Sequence, residues 1–357
     1  IVVEPYSHVI SNSEASSNRA TVNGHVEIHF SEEKGWGQPQ FVKDPYLRIH
    51  GLSPSLNYGQ QAYEGMKAIR DIRGHIRVFR PEHHGLRLGR SAAFISIPQV
   101  PVDLFCEAVN LVVSQNAEFV PPYGSGATMY IRPVVIGLSS MLAPAPPKDY
   151  LFYIYVQPIA PYQGITALDA VFLEEYDRAA PKGTGAVKLG GTTLHLAKKE
   201  GYGLILHLDS KTNSRIEEFS TSGFVGIKDQ ADGQIVLVTS NSPNVIASTT
   251  AESVMQIARN LGWKVERREA SSWSTPDHIS YSELSDFREV FAAGTAAGLV
   301  PVRSITRKST GEKFTFDSGD GEGGPDCLRL REKLTAILQG DEADIYDWCR
   351  VVTQDKD

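Results

Sequence analysis

Apolar and polar residues alternate in short runs over the first part of the chain, with the two-residue period of a half-buried strand. LRIHGL (47–52) and HIRVFRP (75–81) read as strands on this ground, and LFYIYV (151–156) as a strand from its β-rich run of residues. Between the second and third of these, Leu104, Ala108, Leu111 and Val112 recur at helical spacing instead. The mixture predicts an α+β domain over 1–156, with its polar, serine-bearing opening (1–23) as a loose arm. QPIAPYQGIT (157–166) interrupts both periods with two prolines and is the predicted interdomain loop. Beyond it AVFLEEY, GLILHLD and QIVLVTS read as strands, and Val254, Ile257, Ala258 and Leu261 fall on one helical face. GDGEGGPD marks an exposed loop before a closing helix that carries Leu330, Leu334, Ile337 and Leu338. Residues 167–357 are therefore predicted as a second domain, and no internal repeat is visible.

Composition narrows the class. A chain of 357 residues that is 41% hydrophobic and 22% charged has ordinary globular composition and enough length for two cores. Lys and Arg number 35 against 42 Asp and Glu, a formal charge of −7, which argues against non-specific attraction to nucleic acid or anionic membrane. Small molecules are the expected partners. No apolar run is long enough to span a bilayer. Cys106, Cys327 and Cys349 have no CxxC spacing and an odd count, so neither a disulfide framework nor a zinc site is expected. A reducing compartment follows, cytoplasmic or mitochondrial; the chain opens on Ile1, which leaves a preceding transit segment open.

The candidate chemistry begins at GAVKLGG, where Lys188 stands between apolar residues and glycines. An ammonium withdrawn from water loses hydration, its pKa falls, and the neutral amine becomes a nucleophile toward an aldehyde such as that of pyridoxal 5'-phosphate. The competing reading is a surface lysine in a glycine turn. In SRIEEFSTSG, Glu217 and Glu218 are adjacent in a predicted strand, so their side chains point to opposite faces and only one reaches a site. A carboxylate against a pyridine nitrogen keeps the ring protonated and able to accept electrons. The alternative is a solvated pair on an edge strand. Ser248, Thr249 and Thr250 open the helix that runs to Leu261, where backbone N–H groups and the dipole suit a phosphate or serve simply as an N-cap. AAGTAAG (292–298) offers a second loop of close-approach amides, and Arg87 in LRLGR offers a forked donor set for the same anion. Other motifs fail: no GxxxxGK[ST], HExxH or GxSxG is present, no GxGxxG is read as following a strand and opening a helix, and adjacent His83 and His84 point about 100° apart on a helix, too far apart for one metal.

Seven segments appear in one order: NYGQQAYEGMKAIR, FRPEHHGLRLGRSA, MYIRPVVIG, GAVKLGG, EEFSTSGF, STTAESV and VFAAGTAA. In these the chain resembles the branched-chain aminotransferases, the fold type IV group of pyridoxal phosphate enzymes, over nearly its whole length. The resemblance implies an α+β chain with a smaller α+β domain and a larger cofactor-binding domain with a β-barrel-like core, assembled as a homodimer. It implies that Lys188 carries the Schiff base and that Glu218, not Glu217, pairs with the pyridine nitrogen. Arg87, Thr249, Thr250 and Thr295 would hold the phosphate, with Thr193 and Arg178 also near the cofactor. Tyr58, Tyr63, Tyr130, Arg132, Tyr162 and Thr221 would line the substrate pocket, with the backbone around Thr295 and Ala296 near the substrate carboxylate. Aromatic walls suit branched aliphatic side chains, and Arg132 suits the distal carboxylate of glutamate. The implied activity moves an amino group between hydrophobic, branched-chain L-amino acids and 2-oxoglutarate by a ping-pong route. A lyase or D-selective transaminase on the same fold, or a weakly active homologue, stays open.

Departures from the family pattern cluster around the implied site. Thr192 and Thr193 stand where Asn-Tyr is usual, and a threonine hydroxyl reaches less far than a phenol toward the ring oxygen of the cofactor. Gly223 stands where asparagine is common, and Ser248 where the phosphate turn usually has glycine. Ala297 and Val300 occupy the positions of a redox CxxC found in some relatives, so thiol regulation there is not expected. Such changes point to a specialised substrate or an altered reaction.

Overall fold

A computed structural model describes residues 22–140, 142, 145–159, 166–172, 174, 187–188, 194–269 and 277–354. Contacts divide the chain into two compact units, one of 1–163 with 188–190 and 336–357, the other of 164–187 with 191–335. The closing segment thus groups with the first unit, where 167–357 had been read as one domain. The reason is a backbone ladder: Cys349–Val351 runs antiparallel to Ile76–Phe79, with Arg350 opposite Val78.

The first unit is a nine-stranded sheet in the order Cys349–Val351, Ile76–Phe79, Met66–Arg70, Thr128–Leu138, Asp149–Ile159, His25–Ser31, Gly35–Trp36, with Gln61–Tyr63 and Gln40–Val42 paired off this path. Each described pairing within it is antiparallel. One face carries Val26, Ile28, Met66, Ala68, Met129, Ile131, Phe152 and Ile154, all buried. The helices Pro81–Phe94 and Val102–Ser114 close that face with Leu88, Ala92, Phe105, Ala108, Val109 and Val112. Pro81 opens the first helix, where a missing N–H costs nothing. The second is the helix read from Leu104, Ala108, Leu111 and Val112. LRIHGL is not a strand: residues 47–52 are irregular, and Leu47 and Ile49 instead rest on the patch made by Val134, Ile136 and Leu151. Alternation there reports a segment lying on an apolar surface, which needs no ladder partner.

The second unit is a mixed nine-stranded sheet in the order Ile216–Phe219, Leu204–Leu208, Leu168–Phe172, Gly298–Arg307, Glu289–Gly294, Gly223–Asp229, Ile235–Asn241, Lys264–Glu269, with Glu312–Thr315 on Gly298–Arg307. Ile235–Asn241 and Lys264–Glu269 pair in parallel, so the chain between them crosses over as the helix Thr249–Asn260. That helix buries Val254, Met255, Ile257 and Ala258, the face its periodicity predicted. Phe172, Leu206, Phe219, Phe224, Val238 and Val290 form the core on the sheet. Among the described residues the three cysteines are unpaired, and burial pushes each thiol up to about 12, well away from reactive thiolates.

Candidate active site

Lys188 belongs to the first unit. Its backbone is held on both sides: its N–H donates to Ser91 Oγ (3.1 Å) and its C=O accepts the Tyr63 N–H (3.2 Å). The side chain lies against an aromatic ring, with Nζ 5.7 Å from the Tyr63 centroid. Arg132 faces the same ring at 4.9 Å, lies 5.2 Å from the Tyr130 ring, and donates from Nη2 to Tyr130 Oη (3.0 Å). Tyr130 and Arg132 are two apart on Thr128–Leu138 and therefore share a face, opposite the one that carries Met129 and Ile131 into the core. Gly65 makes room for this group, since a methyl there would collide with the Tyr130 phenol. Tyr63, Tyr130, Arg132 and Lys188 thus come together in the first unit. Tyr58 stands at the end of the short helix Pro54–Asn57 and is 58% exposed. Tyr162, Arg178 and Thr193 lie outside the described residues.

Glu64 and Lys67 were not singled out from the sequence, and His84 was considered there only as a metal ligand. Glu64 is fully buried and accepts both Arg87 Nε (2.6 Å) and Arg87 Nη2 (2.7 Å), a bidentate pair. His84, one helical turn before Arg87, contributes Nδ1 at 2.9 Å to the same carboxylate. Burial alone would raise the Glu64 carboxyl, but the charge and hydrogen bonds of Arg87, joined by His84, hold it well below the usual carboxylate range. Burial presses His84 down to about 4, against the opposing pull of Glu64. Arg87, expected as a phosphate donor, is therefore 4% exposed and clamped by its own protein before any ligand is considered. Lys67 stands directly opposite Tyr130 in the ladder, on the face of Arg132, and burial lowers its ammonium to about 8. Signals were present: Glu64 and Lys67 lie within NYGQQAYEGMKAIR, and the His84–Arg87 spacing of three places both on one helix face.

In the second unit the Glu217–Glu218 pair corrects the opposite-faces expectation. Leu206 pairs with Phe219 and Leu208 with Ile216, so the register slips and one residue, His207, opposes both glutamates. A bulge of this kind re-aims side chains. Both carboxyls are 2% exposed and line a single cleft of about 120 Å³, together with Gly223, Ser242, Ile246 and Ser248. Glu218 Oε2 accepts the Ile246 N–H (3.3 Å). Glu217 Oε1 accepts Asn244 Nδ2 (3.4 Å), and burial pushes its carboxyl up against the opposing hydrogen bonds of Ser242 and Asn244.

The start of the helix Thr249–Asn260 lines the same cleft. Ser248 caps it, its Oγ accepting the Ala251 N–H (3.2 Å) and donating to Ala293 O (3.1 Å). Thr249 and Thr250 are buried in the first turn, behind the lining formed by Ile246, Ala247 and Ser248. Gly223 pairs with Ala293, and a Cβ on Gly294 would come within 3.1 Å of Ser222 and 3.5 Å of the Thr221 carbonyl. Thr221, Thr295 and Ala296 are thereby gathered at the ends of two neighbouring strands, Thr221 and Ala296 exposed. Carboxylates that accept and helix-start amides that donate, lining one cleft, fit a protonated ring nitrogen and a phosphate. Among the described residues no group of three or more His, Cys, Asp or Glu is placed to hold a metal, and no helix is long and apolar enough to cross a membrane.

The family model described as amino-transferase class IV matches residues 61–305. Aminotransferase atnJ of Emericella nidulans is 48% identical, over 93% of this chain and 96% of its own length. Branched-chain amino acid aminotransferase gloG of Glarea lozoyensis is 44% identical, over 93% of each. The crystal structure of Escherichia coli branched-chain amino acid aminotransferase superposes with a TM-score of 0.71 at 25% identity, covering 88% of this chain and 97% of that one. The chain belongs to the class IV aminotransferase family, with the fold type IV architecture of that structure.

Proposed function

We propose that this protein is a pyridoxal phosphate-dependent aminotransferase that moves an amino group between hydrophobic, branched-chain L-amino acids and 2-oxoglutarate, and that it acts as a homodimer. The observation that carries the reading is the seating of Lys188: a backbone held by Ser91 and Tyr63, and an ammonium over the Tyr63 ring beside Tyr130 and Arg132. The family supplies the reaction class, and the name of the Glarea lozoyensis relative supports the branched-chain substrate.

Bound pyridoxal phosphate supplies an electron sink for the charge left when an amino acid loses its Cα proton. Lys188 provides the amine that anchors the cofactor aldehyde and, once displaced, holds and moves that proton at Nζ. Glu218 keeps the ring nitrogen protonated. On the family resemblance Arg87, Thr249, Thr250 and Thr295 would hold the phosphate; within the first unit, Glu64 fixes the direction of the Arg87 fork. Tyr63 and Tyr130 wall an apolar site, and Arg132 pairs with the distal carboxylate of glutamate or 2-oxoglutarate. One pocket serves donor and acceptor in turn, so the donor product leaves before the acceptor binds.

Purified protein incubated with pyridoxal phosphate is expected to give a visible absorbance band that L-leucine bleaches and 2-oxoglutarate restores. Initial-rate plots at fixed acceptor levels are expected to be parallel. Lys188→Ala is expected to abolish turnover. Retained turnover in that variant, or no band in the wild type, overturns the reading; release of pyruvate or ammonia without an acceptor assigns a lyase instead.

A further inference from the structure

The strand that carries Glu218 is weakly secured. Ile216–Phe219 has four residues, ends the sheet, and among the described residues pairs along its length only with Leu204–Leu208, apart from a bridge between Arg215 and Ser280. Its ladder is interrupted at the glutamates, because the register slips between Leu206 and Leu208. Past Phe219 the chain reverses at once, with Phe219 bridged to Ser222 and the turn residue Thr221 exposed. Short edge strands with a bulge have few backbone bonds to fix side-chain direction.

One side chain crosses this interrupted ladder. His207 is the residue opposite the bulge, is 3% exposed, and places Nε2 2.7 Å from Ser220 Oγ. Leu206 and Leu208 on either side of it point into the apolar core, so the imidazole projects from the other face of the strand. Ser220 is also tied through its backbone, its N–H donating to Ile205 O (3.0 Å). The two bonds hold the turn at both main chain and side chain, two residues past Glu218. A histidine costs more to bury than the leucines beside it, and a hydrogen bond to a turn hydroxyl is what its ring meets there.

We infer that His207, through its hydrogen bond to Ser220, is a positioning residue that fixes the turn after Glu218 and so sets the direction of the Glu218 carboxylate toward the ring nitrogen of the cofactor. This rests on the proposed pyridoxal phosphate function. The bond acts on cofactor affinity and on the electronic state of the ring, because a carboxylate out of line with the nitrogen holds its proton less well.

The test uses the full chain, reconstituted with pyridoxal phosphate, in the wild type and in Ser220→Ala, His207→Leu and His207→Gln. Cofactor affinity is read by quenching of intrinsic fluorescence on adding pyridoxal phosphate to apoprotein, and the ring state by the pH midpoint of the visible band. Ser220→Ala and His207→Leu are each expected to weaken binding about fivefold, the loss of one buried hydrogen bond, and to move the midpoint. His207→Gln, which still reaches a hydroxyl, is expected to restore most of both, and the Ser220→Ala/His207→Leu double variant to lose no more than either single. Wild-type affinity and midpoint in folded Ser220→Ala and His207→Leu overturn the inference. If His207→Leu does not fold, Ser220→Ala, a change in a half-buried turn, decides alone. A wild type that takes up no pyridoxal phosphate overturns the proposed function, and this inference with it.

Discussion

Gly223 and Ser248 face each other in the second unit: a Cβ built on Gly223 would lie 3.2 Å from Ser248 Cβ and 3.5 Å from Ala251 Cβ. These are two of the positions at which the chain departs from its family pattern, where asparagine and glycine are usual. The departures are therefore one exchange of volume between a strand and the helix start it packs on. Gly223→Asn alone is expected to destabilise the protein by about 1–3 kcal/mol through overpacking. Adding Ser248→Gly is expected to recover most of that, since glycine in place of a serine cap costs only a few tenths of a kcal/mol. A double-mutant cycle in denaturant measures the coupling; strict additivity would show that the two positions do not compensate.

The Glu64–Arg87 pair supports a second expectation. Removing one partner of a buried ion pair leaves the other charge uncompensated, so Glu64→Gln is expected to cost about 3–5 kcal/mol in urea unfolding. Surviving protein is expected to bind pyridoxal phosphate more weakly, because the Arg87 fork loses its fixed direction. Unfolding that matches wild type would remove Glu64 from both roles.

His84 and Glu64 give the protein a worked acid dependence. His84 is held down to about 4 when folded, against an ordinary value of about 6.5, so the unfolded chain binds the extra proton first. Its contribution is fully present above about pH 6.5 and is lost as pH falls from there through 4. The Glu64 carboxyl, lowered by Arg87 and His84 against burial, contributes above its unfolded value of about 4.3 and is lost only below that. Stability is thus expected to decline in two stages. His84→Gln is expected to flatten the stage between about pH 6.5 and 4 while leaving the lower one, as read by urea midpoints across pH.

Gly65 sets the position of Tyr130. Gly65→Ala forces the Tyr130 phenol aside and with it the hydrogen bond from Arg132 Nη2. If Arg132 receives the distal carboxylate of glutamate, kcat/KM for glutamate and 2-oxoglutarate is expected to fall about tenfold, with a smaller change for leucine. Equal losses for both substrate types would assign the glycine a purely structural part.

Much of the fold was legible in short-range patterns. Short β-rich runs located HIRVFRP, LFYIYV and QIVLVTS as strands, and period 3.6 located Val102–Ser114 and Thr249–Asn260 as helices, because each element buries apolar residues in a core. The same signal misled at LRIHGL, where an irregular segment lies on an apolar patch and alternates for that reason alone. It also misled at Glu217 and Glu218: strand geometry alone separates neighbours to opposite faces, and only the slipped register with Leu204–Leu208 brings both to one cleft.

The order of segments from NYGQQAYEGMKAIR to VFAAGTAA carried the family; the local setting of Lys188 pointed to it directly, whereas Tyr63, Tyr130 and Arg132 were reached only through the resemblance. Contacts between residues far apart in sequence were decided by tertiary structure. Nothing local ties Glu64 to Arg87, 23 positions later, or Ser91 to Lys188, 97 positions later, or Gly223 to Ser248. Those meetings depend on sheet register and helix placement, which the summed burial of apolar faces sets and no single motif encodes.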